Sequence, residues 1–360
     1  MKNVLILLPF TFTGAVVYVF YSLSFTNPVF VEYYYSRGVY PFLSKFSSLT
    51  ANLPFSAAEF LTYAFFGFLV FYIFFIASAF FRKKNRIQSA LFRTVVLFVI
   101  LSSMWGSFML SWSINYARQP ISQSLGLDAT PASGQELYGV CSRLAGKANY
   151  MRSQTKQDEN GVFILTKSKE EINREVKAVY RNNAPPFMNL GGETNVKGVS
   201  SVNLLSTMNT LGIYIPFTYE PNINMQMPDL YYASSALHEY AHFKGFARED
   251  EANFIAYYVS KDMADTDFSY SSTMLALGNS LNQLADCDYD LYCNVYDTLS
   301  DPVKRDFANE NAYWANFEKT RETVETMNNN YLISNKQSDG VRSYGRMVDL
   351  LIALNRSGDL

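Results

Sequence analysis

The chain's two histidines, His238 and His242, stand four residues apart in "ALHEYAHFKGFAREDEANFIAY", Ala236 to Tyr257, with Glu239 directly after the first. On a helix, positions i and i+4 share one face, so both imidazoles could bind a single cation. Glu239 then falls beside a water on that cation, whose pKa a metal lowers to about 7, and can take its proton. The plainer alternative is a pair of partly buried histidines satisfied by hydrogen bonds. With only two histidines in 360 residues, their meeting at this spacing around a glutamate argues for a metal site.

One such helix supplies two ligands, and a catalytic zinc site takes a third from elsewhere while leaving a position open for water or substrate. Gly245, three residues after His242, can adopt positive φ, end the helix and turn the chain. Beyond it, "AREDEAN" offers Glu249 as the third ligand, with Asn253 four residues on as support for a histidine. Glu251 is the rival. Arg248 occupies the place where the HExxHxxGxxH layout puts a third histidine, and an arginine cannot ligate zinc. This is the zincin arrangement, read with Glu249 preferred. Upstream, "LGIYIPFTYEPNIN" reads as one or two strands, either plain core or an edge that holds a substrate backbone by β-augmentation. Transition-state stabilisation in such sites often falls to Tyr, His or Arg. No histidine is left, so Tyr344 is the candidate, with Arg342, Arg346 and Tyr270 as alternatives.

The elements that must position these residues divide into an apolar first third and a polar remainder, which the overall hydrophobic fraction of 49% averages away. Three uncharged stretches, about 4–24, 60–81 and 94–115, approach the roughly 20 apolar residues a bilayer requires, so three transmembrane helices are expected in residues 1–117. The first lacks an A-x-A-like cleavage site and is longer than a signal-peptide core, which favours a retained anchor. "RKKNR", Arg82 to Arg86, places the loop between the second and third spans in the cytoplasm and the polar region outside. A turn-rich linker, 118–133, then leads to a mostly α, α+β domain at 134–360. The net charge of −2 and the lack of a basic stripe argue against nucleic acid. Cys287 and Cys293 either pair locally or stay free, with Cys141 unpaired.

Taken together, "YPFLSKFSSLTANLPFSAAEFLTY", "GIYIPFTYEPNIN", "HEYAHFKGFAREDEANFIAYYVS" and "DGVRSYGRMVDLL" resemble a family of bacterial membrane proteins known only as a domain of unknown function. The stretch from His238 to Tyr257 is similar to the zincin metallopeptidases. The resemblance implies a bacterial membrane location. The expectation is a multi-pass membrane protein whose extracytoplasmic zincin-like domain uses one Zn²⁺ to hydrolyse a peptide or protein substrate near the lipid bilayer. A non-catalytic receptor or scaffold braced by structural zinc, and an amidase acting on the cell envelope, are the alternatives.

Overall fold

The computed structural model describes residues 13–82, 84–337 and 346–360. Residues 4–12 of the first expected span lie outside that set. The described part, α1 (Thr13–Ser24), turns by 105° into a helical stretch of α, π and 3-10 turns, α2 (Pro28–Leu49). The bend has a local cause: the Asn27 side chain accepts from Phe30 N–H, and Pro28 cannot continue the hydrogen-bond ladder of α1. α3 (Ala57–Ala77), extended by a 3-10 turn to Phe81, and α4 (Arg86–Ser111) are each long and apolar enough to cross a membrane. A third span exists if the bent pair counts as one. α4 begins eight residues before the uncharged stretch, because Arg86 and Arg93 extend it without breaking its helical pattern.

α1 packs against α4, with Gly14 N–H donating to Ser102 Oγ at 3.2 Å. A Cβ at Gly14 would come 2.8 Å from that oxygen, so only glycine permits the approach. Directly after α4 the chain stays buried before it emerges. Trp112, Tyr116, Arg118 and Ile121 are all buried, and only from Asp128 does a run of exposed residues begin. The reason is a buried ion pair: Arg118 meets Glu32 of α2 at 2.8 Å, both nearly inaccessible.

The remaining chain is mostly helical. Capping boxes at Ser133/Glu136 and Ser168/Glu171 start α5 (Gly134–Arg152) and α6 (Lys169–Asn183). Between them lie two-residue strands, β1 (Lys156–Gln157) and β2 (Phe163–Ile164), which sequence periodicity is too short to announce. A three-stranded sheet follows, in the order β3 (Lys197–Val199), β5 (Glu220–Asn224), β4 (Gly212–Ile215). β3 runs parallel and β4 antiparallel to β5. β5 is buried at every position although it carries Glu220, Asn222 and Asn224. Their polar groups are consumed at the junction with the apolar helices. The Glu220 carboxylate accepts from Ala58 N–H at 2.7 Å, and Ser56 donates to Asn222 Oδ1 at 2.6 Å.

Against this sheet lies α7 (Tyr232–Phe243), buried along its length except at His238, followed by α8 (Glu249–Tyr258) and the long α9 (Thr266–Cys287). α9 packs on α5, α7 and α8, closing one apolar core. α10 (Tyr289–Asp297) and α11 (Asp301–Ala315) complete that side. α12 (Glu318–Ser334) buries only Leu332 fully, its other residues being exposed or half-buried, and α13 (Met347–Ser357) returns an apolar face to the core. All three thiols are free, with Cys141 buried and pushed up to about 12 by that burial.

Candidate metal centre

α7 presents His238 and His242 on one face, their ring centroids 4.6 Å apart. Each ring is fixed through Nδ1. His238 Nδ1 lies 2.7 Å from Asn253 Oδ1 on α8, and His242 Nδ1 lies 2.7 Å from the Phe246 carbonyl. Both partners are acceptors, so Nδ1 carries the proton and the Nε2 lone pair is left to point away.

Both Nε2 atoms converge on one oxygen. Glu249 Oε2 stands 3.1 Å from His238 Nε2 and 3.6 Å from His242 Nε2, and the three ligand atoms lie within 4.8 Å of one another. A tetrahedral zinc with bonds of about 2.0–2.1 Å keeps its ligand atoms about 3.3–3.4 Å apart. The donor set and its spacing therefore fit such an ion. Burial alone would lower the His242 pKa, but Glu249 overrides it and holds the ring near 9, while the imidazoles keep Glu249 well below the usual carboxylate range despite its burial.

The turn that brings Glu249 back is built on Gly245, at φ 86°. Its N–H donates to His242 O at 2.8 Å and Phe246 N–H to Ala241 O at 3.1 Å, the paired bonds that end a helix at a left-handed residue. The same turn sets the Phe246 carbonyl against His242. A Cβ on Gly245 would come 2.9 Å from the Tyr40 ring of α2. Arg118 Nη1 donates to the Gly245 carbonyl at 2.8 Å and its guanidinium stacks on Phe246, so the residue that pairs with Glu32 also clamps the turn.

Glu251 points elsewhere. Its Oε1 accepts from Ile121 N–H at 2.8 Å and faces Arg248 at 3.1 Å. Arg248, in the place of a third histidine, bonds the Arg118 carbonyl instead. Asn253 reaches His238 as its spacing suggests.

Glu239 is buried, and its Oε2 has no hydrogen-bond partner. Burial pushes its carboxyl up to about 7, the two imidazoles opposing that push and Glu249 adding to it. A group titrating near neutrality is suited to take a proton and give it back. The carboxylate is aimed by contact with β4: a Cβ on Gly212 would come 2.6 Å from Glu239 Cγ and 2.7 Å from Oε1.

Tyr344 and Arg342 lie outside the described residues. Arg346 stands 3.4 Å from Asp250, and the Tyr270 hydroxyl donates to Asp306, which Arg152 also holds at 2.6 Å, in a separate buried network. A hydroxyl that interacts electrostatically with Glu249 is that of Tyr331 on α12, one of 26 tyrosines and without any local motif to mark it. Trp112 Nε1, whose ring packs edge-on against His242, donates to Tyr331 Oη at 3.3 Å, and Tyr116 Oη donates to it at 3.4 Å. Burial of the hydroxyl raises its pKa, the Trp112 and Tyr116 bonds oppose this, and the Glu249 carboxylate adds to the rise. The oxygen receives two bonds, which leaves the Tyr331 proton for a third partner.

Residues 35–352 match the family model described as a protein of unknown function, DUF3810, and the chain belongs to that family. No curated protein and no solved structure matches it.

Proposed function

We propose that the protein is a membrane-anchored zinc metallopeptidase in which His238, His242 and Glu249 hold the metal and Glu239 is the general base. The observation that carries this reading is the convergence of two Nε2 atoms and one carboxylate oxygen at zinc-ligand spacing, beside a buried carboxylate with an unpartnered oxygen. A bound zinc ion supplies Lewis acidity at the scissile carbonyl and lowers the pKa of water to about 7. Glu239 takes the proton of the attacking water and returns it to the leaving amine, while Asn253 and the Phe246 carbonyl hold the imidazoles in the ligating tautomer. A closed structural site needs a fourth protein ligand, and Glu251 is engaged by Ile121 and Arg248. The cluster of basic residues Arg82, Lys83, Lys84 and Arg86 supports a topology in which the opposite ends of α3 and α4, and the domain fastened to them, lie outside the cytoplasm of a bacterial cell.

Metal analysis of the purified protein tests the site, and peptide hydrolysis in detergent tests the chemistry. Wild type is expected to carry one zinc per chain, His238→Ala none, and Glu239→Gln the metal without turnover. Equal, negligible zinc in wild type and His238→Ala would refute the site; undiminished hydrolysis by Glu239→Gln would refute the base.

A further inference from the structure

The route from Glu239 to the apolar helices is short and runs along one strand. β4 is one of the two edges of its sheet among the described residues and the one that lies against Glu239, and its pairing partner opposite Tyr214 is Pro221. Proline has no N–H, so that pair is a non-hydrogen-bonded one, and alternation makes Gly212 opposite Ile223 another. The backbone N–H and C=O groups of Gly212 and Tyr214 are therefore directed to the free edge.

At one end, Gly212 touches the Glu239 side chain. Past the other end, Phe217 is exposed and lies against Phe108 near the end of α4, their ring centroids 6.4 Å apart. The Glu220 carboxylate, paired across from Ile215, holds the first N–H groups of α3. At about 3.3 Å per residue, β4 covers about 10 Å from the base to the ends of both spans.

α2 departs by 105° from α1, which packs along α4, so α2 lies across the spans. Its residues Glu32, Ser36, Tyr40, Ser44 and Ser47 are buried, whereas Phe30, Tyr34, Phe42, Phe46 and Leu49 are exposed. An aromatic-rich amphipathic helix in that attitude belongs at the lipid headgroup level. Tyr40 on its inner side hydrogen-bonds the Tyr214 hydroxyl and the carbonyls of His242 and Phe243. One helix layer thus separates the exposed aromatic face of α2 from the metal helix.

Resting on the metallopeptidase reading, we propose that the substrate is the stretch of a membrane-anchored polypeptide directly outside its own span, paired as an extended strand on the free edge of β4. Water adds across one peptide bond of that stretch: its oxygen goes to the carbonyl carbon, one proton passes through Glu239 to the leaving nitrogen, and the C–N bond breaks. The cut falls about three to five residues from the bilayer boundary, the length of extended chain that fits between Phe217 and Glu239.

The test places the full-length protein in phosphatidylcholine and phosphatidylglycerol vesicles with a single-span polypeptide bearing a 20-residue unstructured tail, about the length needed to offer many bonds at many distances. Cut positions are read by mass spectrometry, with the same tail as a free peptide alongside and Glu239→Gln as the blank. The anchored tail is expected to be cut at least about tenfold faster than the free one. Inserting residues next to the span should move the cut to new sequence at the same distance, and prolines at alternate tail positions should block it. Cuts that follow sequence rather than distance, or a free tail cut as fast as the anchored one, overturn this inference and leave the metallopeptidase reading standing. If neither tail nor any of a panel of soluble peptides is cut, that reading fails and this one with it.

Discussion

At the scale of residues, the centre depends on which atoms are left over once every neighbour is satisfied. Each histidine spends Nδ1 on an acceptor, Glu249 turns one oxygen to both Nε2 atoms, and Glu239 keeps an oxygen with no partner. The Tyr331 hydroxyl follows the same logic, since Trp112 and Tyr116 both donate to it. Tyr331→Phe removes that donor and leaves the ring. Turnover is expected to fall by about a hundredfold, the scale of one lost oxyanion donor, with zinc content unchanged. Steady-state hydrolysis together with metal analysis checks this, and wild-type turnover in the variant would remove Tyr331 from the site. The two histidines and the glutamate between them were legible from spacing alone, because short-range positions on a helix determine its faces, whereas spacing left Glu249 only as the preferred of two acidic residues. Tyr331 was not, because its approach is made across more than 200 residues of chain and leaves no periodic trace.

At the scale of elements, a single turn joins the ligand helix to its third ligand. Gly245 was legible as that turn, but Tyr40 packed over it was not. The sequence shows a glycine; it does not show that an aromatic from α2 fills the space a side chain would need. Gly245→Ala meets both the left-handed φ and the Tyr40 ring. It is expected to destabilise the fold by roughly 2–3 kcal/mol. It should also weaken zinc binding, since the Phe246 carbonyl that orients His242 belongs to the same turn. Thermal unfolding with and without a chelator measures both effects, and an unchanged midpoint would show that the turn tolerates a side chain. The three expected apolar helices became two clear spans and a bent pair, for the same kind of reason. Hydropathy reports length and composition, while the 105° turn comes from Asn27 and Pro28 acting locally and from the buried face of α2 acting at a distance.

At the scale of the whole molecule, the apolar helices and the polar domain share one set of buried polar contacts. Arg118–Glu32, Ser56–Asn222 and Glu220 at the start of α3 join them, so the interval 118–133 expected as a linker is buried over its first part. The domain also carries a buried acid remote in sequence from the centre. Glu310 accepts from Trp314 Nε1 with one oxygen, leaves the other unpartnered, and is pushed up to about 7 by burial, with Trp314 and Lys169 opposing and Asp229 adding. Its folded pKa lies above that of the unfolded chain, so the folded state binds the extra proton. The associated stability is fully present below about pH 4.5 and is lost as pH rises through 7. Glu310→Gln keeps an acceptor for Trp314 and removes the titration. Its unfolding midpoint should match wild type near pH 5 and exceed it at pH 8, by on the order of 2–3 kcal/mol in stability. Equal midpoints for the two proteins at both pH values would show that Glu310 ionises without cost.

The sequence by itself determined what short-range periodicity controls: the apolar spans, the helical character of the polar region, the shared face of His238 and His242, and the acidic residues that follow a glycine turn. The tertiary structure decided what depends on packing between distant segments. Glu249 rather than Glu251 faces the histidines because Ile121 N–H and Arg248 take Glu251 away. β5 is flanked on both sides, which leaves β3 and β4 as the edges, and β4 is the edge beside the centre because Gly212 lies against Glu239. The centre lies one helix layer from the apolar surface because Tyr40 of α2 reaches Tyr214 and the end of α7. Local pattern fixes which faces are apolar and which residues share them, and only the mutual burial of those faces selects which distant groups finally meet.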